Sequence, residues 1–265
     1  MAINFKLETG IQLLTRLLKK PGIENFYPML FEKGPKQGDI IELFSNAGNS
    51  CLLLDIICEL LLPVELGGVE GSILIFNTDG NLDFMIIVES LKKKLLTSIK
   101  KGVCESKIDY YVDNALQVAL KKMFFVEIFD ATQFSITIQN LESVLSKHSS
   151  ISLVIFDTLT AFYWSEQSYK ITKMDLYIKN LLRIIQKVTK DYKVTVLYTR
   201  PEYFSSTKEV IENLEPCFEF QTLEQLNYRI HMMYAGDATY EVVVRTHEKQ
   251  IKRHFIVCDG FITWL

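Results

Sequence analysis

The chain has 265 residues, of which 48% are hydrophobic, and a formal net charge of −3 at pH 7. This length and composition fit one α/β domain with a substantial core, and the slightly acidic balance argues against a surface that binds nucleic acid throughout. The five cysteines form no Cys-x-x-Cys pair, so they indicate neither a disulfide framework nor a zinc site and favour a reducing compartment. Charged residues and a proline interrupt every apolar stretch, so no membrane span is predicted.

A short amphipathic helix is predicted at the start of the chain. Thr9 and Gln12 have the spacing of a capping box, and apolar residues follow at helical intervals until Pro21-Gly22. Beyond this helix, apolar strand-like runs alternate with helical patterns. The predicted strands are Asp39–Phe44, Ser72–Asn77, Phe124–Ile128, Leu153–Asp157 and Val194–Tyr198; the predicted helices are Leu52–Leu62, Leu82–Leu96, Phe134–Leu145 and Asp175–Val188. This alternation predicts a mainly parallel sheet flanked by helices.

The last third of the chain changes to short β-rich runs separated by turns that contain Gly236 and Gly260. The runs are Tyr228–Tyr234, Tyr240–Thr246, His254–Val257 and Phe261–Trp264. They predict a C-terminal antiparallel extension of the sheet.

The segment after the first predicted strand lies where a G-x-x-x-x-G-K-[ST] phosphate loop would precede a helix. It reads Ser45-Asn46-Ala47-Gly48-Asn49-Ser50-Cys51-Leu52. An intact loop needs a lysine for the β- and γ-phosphates and a hydroxyl for Mg²⁺, and here Cys51 and Leu52 stand at those two positions. Each lost contact is worth about 1.5–3 kcal/mol, so nucleotide binding would weaken by roughly two to four powers of ten.

We therefore predict an eroded and empty phosphate loop at Gly48, Asn49, Ser50, Cys51 and Leu52, with ATP and Mg²⁺ as the alternative. The same residues also fit an ordinary strand-to-helix turn in which Asn49 or Ser50 caps the helix.

Two aspartates follow predicted strands at the edge of the sheet where nucleotide sites lie. Asp157 closes the run Ile151–Phe156 and has the position of a metal-coordinating carboxylate, although a structural, hydrogen-bonded role is preferred. Asp79 follows Asn77-Thr78, near the place for a residue that orients an attacking water. We treat Asp157 as a vestigial Mg²⁺ position and Asp79 as a vestigial catalytic one. An unrelated α/β enzyme that uses these carboxylates is a further alternative, though no nucleophile or cofactor motif accompanies them.

Two other features have simple structural interpretations. The basic run Lys92-Lys93-Lys94 is interpreted as the solvated face of a helix. For the aromatic run Phe162-Tyr163-Trp164, core packing is preferred over a contact surface.

Taken together, these segments resemble the RecA-like recombinase paralogues of homologous recombination. The segments that carry the resemblance are Glu8–Leu17, Gly38–Glu42, Leu62-Pro63 with Gly67-Gly68, Phe76–Asp79, Asp157–Trp164 and Lys252–Phe255. The resemblance implies a RecA-like P-loop ATPase core at residues 38–265, preceded by an N-terminal helix and connector at residues 1–37. It also implies a nuclear subunit, with the cytoplasm as a second location, that assembles with sister paralogues to support recombinase filaments at double-strand breaks.

The sequence departs from the family pattern at Ser50, Cys51 and Leu52, which places ATP binding in doubt. By the same resemblance, the DNA-facing loops fall near residues 165–170 and 202–224. The second of these holds six glutamates and one lysine, Lys208, so we expect DNA contact mainly through the complex. The expected function is that of a non-catalytic subunit, and a weak ATP-binding or ATP-hydrolysing, DNA-dependent paralogue of the same fold is the alternative.

Overall fold

The computed structural model describes residues 9–18, 20, 22–45, 50–99, 108–166, 173–201 and 226–265. These residues contain nine strands: β1 Ile40–Ser45, β2 Ser72–Asn77, β3 Met123–Glu127, β4 Ile151–Asp157, β5 Thr195–Pro201, β6 Tyr228–Gly236, β7 Thr239–Arg245, β8 Gln250–Cys258 and β9 Phe261–Trp264. They form one sheet in the order β3-β2-β4-β5-β1-β6-β7-β8-β9. Strands β1 to β6 pair in parallel, and β6 to β9 form an antiparallel meander. The predicted mainly parallel sheet with a C-terminal antiparallel extension is confirmed.

In the described part of the chain, two helices precede β1, and the others lie between strands β1 to β5 along the chain. They are α1 Gly10–Leu17, α2 Pro28–Phe31, α3 Ser50–Leu61, α4 Phe84–Ile99, α5 Ile108–Leu120, α6 Ala131–Gln139, α7 Leu141–Lys147, α8 Tyr163–Glu166 and α9 Met174–Thr189. The single helix predicted at Phe134–Leu145 is two helices, which meet at Asn140; its side-chain amide donates to Ile136 O at 3.0 Å. No described helix has both the length and the apolar character needed to cross a bilayer.

Apolar side chains cover both faces of the sheet. Along β1, Ile41 and Leu43 point into the core beneath α3 and α4, while Ile40 points into the core beneath α6, α7 and α9. β2 and β4 are buried along their whole length, as expected of parallel strands covered on both sides. Because β1, β2, β4 and β5 run parallel, the carboxyl ends of β1, β2 and β4 lie at one edge of the sheet.

A polar network ties the connector that precedes β1 to the rest of the fold. The Tyr27 hydroxyl donates to the Asp55 carboxylate on α3 and accepts from Trp264 Nε1 at 3.1 Å. Lys94 Nζ on α4 lies 2.7 Å from Asp55 Oδ1 and 2.6 Å from Glu59 Oε1. Lys94 is therefore not part of a solvated helix face, which corrects the interpretation of the basic run for this residue.

Candidate functional site

The eroded loop predicted from the sequence lies between β1, which ends at Ser45, and α3, which begins at Ser50. Gly48 and Asn49 lie outside the described residues. Ser50 and Cys51 are half-buried at the start of α3, and burial raises the pKa of the Cys51 thiol. The residue at the position of the lysine is thus a neutral thiol rather than a cation.

Leu52 is fully buried and belongs to the hydrophobic core beneath α3. A phosphate loop requires a hydroxyl here that reaches Mg²⁺, whereas this side chain packs among apolar neighbours. The nearby carboxylates Asp55 and Glu59 are both paired with Lys94. The described residues at this site therefore do not fit a Mg²⁺–triphosphate group.

The structure brings Asp157 and Asp79 together at the carboxyl ends of β4 and β2. Asp157 lies opposite Asn77 in the register of the two strands, and Asp79 follows Asn77 after one residue. Asp79 is exposed and accepts from Asn81 Nδ2 at 2.6 Å. Asp157 is buried and accepts a hydrogen bond from the Thr199 hydroxyl on β5.

Burial raises the pKa of Asp157 to about 6, the Thr199 hydrogen bond opposes this shift, and the nearby Asp79 charge adds to it. A carboxylate whose pKa is raised by folding stabilises the protein below its unfolded pKa, and this contribution is lost as the pH rises through 6. At neutral pH the Asp157 carboxylate is therefore ionised although burial disfavours its charge. No cation contributes to the shift of its pKa.

Replacing Asp157 with asparagine is therefore expected to stabilise the protein at pH 7, by about 2–3 kcal/mol, because the amide oxygen can still accept from Thr199. Most of the gain should be lost at pH 4, where the wild-type carboxyl is protonated in the folded protein. Urea denaturation at both pH values measures this difference. The matched control is Asp79→Asn, which removes an exposed carboxylate and should change stability far less; equal effects of the two substitutions would contradict the assignment.

A second polar cluster, centred on β1, was not identified from the sequence. Glu42 on β1 is fully buried, and its carboxylate accepts a hydrogen bond from the guanidinium of Arg229 on β6. Arg200 Nε lies 3.0 Å from Glu42 Oε1, and the Tyr198 hydroxyl donates to the same oxygen at 3.0 Å. The two arginines lower the pKa of Glu42 against the effect of burial, so it remains a carboxylate. The Glu42 cluster joins β1, β5 and β6.

The aromatic run after β4 is divided between core and surface. Tyr163 is buried, but 59% of Trp164 is exposed, so the predicted core packing is wrong for Trp164. Its ring contacts Tyr163 edge-on at 4.9 Å between centroids. Residues 167–172, which include most of the first predicted DNA-facing loop, lie outside the described residues, as does the whole of the second.

The chain is similar to known DNA repair proteins. It is 23% identical over 201 residues to the DNA repair protein XRCC2 of Mus musculus, and the match covers 73% of this chain and 68% of that protein. This similarity supports an XRCC2-like recombinase paralogue. It is also 24% identical over 176 residues to the DNA repair protein rhp51 of Schizosaccharomyces pombe, over 64% of this chain and 42% of that protein. No protein-family model matches.

The observed sheet is consistent with the similarity to these relatives, and the α/β core of the chain is RecA-like. The predicted resemblance to recombinase paralogues is confirmed, and both relatives are DNA repair proteins, which supports the expected role in DNA repair by homologous recombination. The domain boundary at residues 37 and 38 and the site roles of Gly48, Asn49, Ser50, Cys51, Leu52, Asp79 and Asp157 stay predictions.

Proposed function

We propose that this paralogue is a non-catalytic subunit that binds no ATP and acts by assembling with sister recombinase paralogues. The observation that carries the proposal is the full burial of Leu52 at the position where a phosphate loop needs a hydroxyl. The half-buried Cys51 thiol and the buried Asp157 carboxylate support it. A chain that keeps a RecA-like scaffold without the groups that hold triphosphate functions through the surfaces that it offers to partners.

The surface around β3 is the best candidate for contact with a sister paralogue. Among the described strands, β3 pairs only with β2 and leaves its other edge open. Two exposed aromatic side chains lie close to β3: Phe84 at the start of α4, 42% exposed, and Phe129, two residues after the end of β3, 77% exposed. Phe84 also contacts Phe125 of β3 edge-on, at 5.8 Å between ring centroids. An open strand edge flanked by exposed apolar side chains is typical of a surface that pairs with another chain.

The complex, rather than the isolated chain, is proposed to engage DNA and to support recombinase filaments. The six glutamates of residues 202–224 would repel phosphate, and the whole chain carries a net charge of −3. A role in DNA repair further supports a nuclear location.

Co-expression with sister paralogues tests the proposed assembly. The wild-type chain should copurify with at least one of them. Phe84→Glu with Phe129→Glu should reduce its affinity at least thirtyfold, since even one anchoring aromatic residue is worth about 2 kcal/mol or more. Ile184→Glu, at a 50% exposed position of α9, is the matched control and should leave copurification unchanged. Recovery of only a well-folded free monomer with every sister paralogue would contradict the proposal.

A further inference from the structure

Helix α9 carries a line of basic side chains along its outer face. Because each residue of an α-helix turns the chain by about 100°, four cations fall within an arc of about 80°. They are Lys179, Arg183, Lys187 and Lys190, and we call them the α9 stripe. The buried side chains of α9, such as Ile178 and Leu182, lie on another side of the helix. The stripe is about 16 Å long, since each residue rises about 1.5 Å along the axis.

The surface around the stripe stays basic when its carboxylates are counted. Residues 173–193 contain six lysine and arginine side chains and two aspartates, a net charge of +4, whereas the whole chain carries −3. One of these aspartates, Asp175, already lies 3.3 Å from Arg200 Nη1. Helices α6 and α7 pack against α9, and between them they add one carboxylate, Glu142, and one ammonium group, Lys147. The neighbouring helices therefore do not neutralise the stripe.

The helix itself explains only part of this pattern. Lys187 and Lys190 lie at the carboxyl end of α9, where cations stabilise the helix macrodipole. Lys179 and Arg183 lie in the middle of the helix, where the macrodipole gives no such advantage. Neither Lys187 nor Lys190 forms an ion pair with a carboxylate of the described residues. These two exposed ammonium groups are thus available to an anionic partner.

We propose that the α9 stripe contacts the phosphate backbone of duplex DNA. Each strand of a duplex carries one phosphate per 3.4 Å of axis, so a line of about 16 Å spans about five of them. A protein partner fits less well, because lysine is depleted in protein–protein interfaces. A single strand also fits less well, because its bases stack on exposed aromatic side chains, and the one aromatic residue of α9, Tyr177, is buried.

This inference rests on the proposed function and deepens it, since it names the surface by which this chain touches DNA within the complex. Four phosphate contacts give a slope of log affinity against log salt of about −3.6. The affinity should therefore fall about 150-fold between 50 and 200 mM salt. The isolated chain is expected to bind DNA only at low salt, and the assembled complex adds the contacts that binding at higher salt requires.

Fluorescence anisotropy with a labelled duplex of twenty base pairs tests the proposal on the purified full chain between 50 and 200 mM NaCl. Lys187→Gln with Lys190→Gln removes two contacts, so its affinity should fall only about twelvefold over this range. The matched control, Lys92→Gln with Lys93→Gln, removes two lysines from α4 on the opposite face of the sheet and should keep the wild-type slope. Urea denaturation of both variants detects any purely structural role, which would change stability without changing the slope.

Four outcomes would overturn the proposal. The first is no binding of wild type at 50 mM salt, and the second is a wild-type slope in the Lys187 and Lys190 variant. The third is tighter binding of a twenty-nucleotide oligothymidine than of the duplex. The fourth is tighter binding of a labelled polyglutamate peptide, which would assign the stripe to an acidic protein.

Assembly and DNA binding are separately observable. The Lys187 and Lys190 variant should still copurify with sister paralogues, because its substitutions lie on α9 and not near β3. Conversely, Phe84→Glu with Phe129→Glu should lose copurification and keep a salt slope close to that of wild type.

Discussion

Replacing Glu42 with glutamine is expected to lower the free energy of unfolding by about 3–5 kcal/mol, the largest effect of any single change considered for this protein. The carboxylate is fully buried and compensates two arginines, Arg229 and Arg200. Glutamine has nearly the same shape but no charge, so the buried guanidinium of Arg229 would lose its ionic partner. Urea denaturation at pH 7 measures the change.

The control for this prediction is Glu241→Gln on β7. Glu241 also pairs with a cation, Lys252 Nζ at 2.7 Å, but that lysine side chain is 56% exposed. An exposed pair contributes less than about 1 kcal/mol, so this variant should remain close to wild type. If Glu42→Gln costs no more than Glu241→Gln, the Glu42 cluster does not hold the centre of the sheet together.

The arrangement of the sheet was predictable because its signals are local. Buried parallel strands appear as continuous apolar runs, as in Ser72–Asn77, which was predicted with the observed bounds. Turns that contain Gly236 and Gly260 separate the C-terminal strands, and both glycines have positive φ. Helix α5 was not predicted, because its first turn, Ile108-Asp-Tyr-Tyr, is rich in residues that favour strands.

The candidate site was predictable only where chain order fixes position. Asp79 and Asp157 lie near each other because Asp157 ends β4, Asp79 comes two residues after β2, and the two strands are parallel neighbours. In the Glu42 cluster, Glu42 and Arg229 are 187 positions apart in the sequence, and no local pattern indicates that Arg229 faces β1. The exposure of Trp164 depends likewise on the path of the chain after β4. Charge partners and exposure are set by tertiary packing, which a single sequence does not display.

The second large effect is expected at the position of the lost hydroxyl. Leu52→Thr should lower the free energy of unfolding by about 2–4 kcal/mol, because it removes buried methyl groups and places a hydroxyl in an apolar core. Leu54→Thr, at a half-buried position of the same helix, is the control and should cost less. Chemical denaturation of the two variants gives the comparison.

The same variant separates a packing residue from an eroded ligand position. If Leu52 has become part of the core, threonine should destabilise the chain without conferring affinity for nucleotide, since Cys51 still provides no cation. Calorimetric titration with Mg-ATP should then give no saturable heat at millimolar concentration for wild type or variant. Saturable binding by the wild-type chain that vanishes in Asp157→Ala would contradict the non-catalytic assignment. Both stability and nucleotide affinity are thus measured for the same variant. If Leu52 is a core residue, Leu52→Thr lowers the free energy of unfolding and still binds no nucleotide.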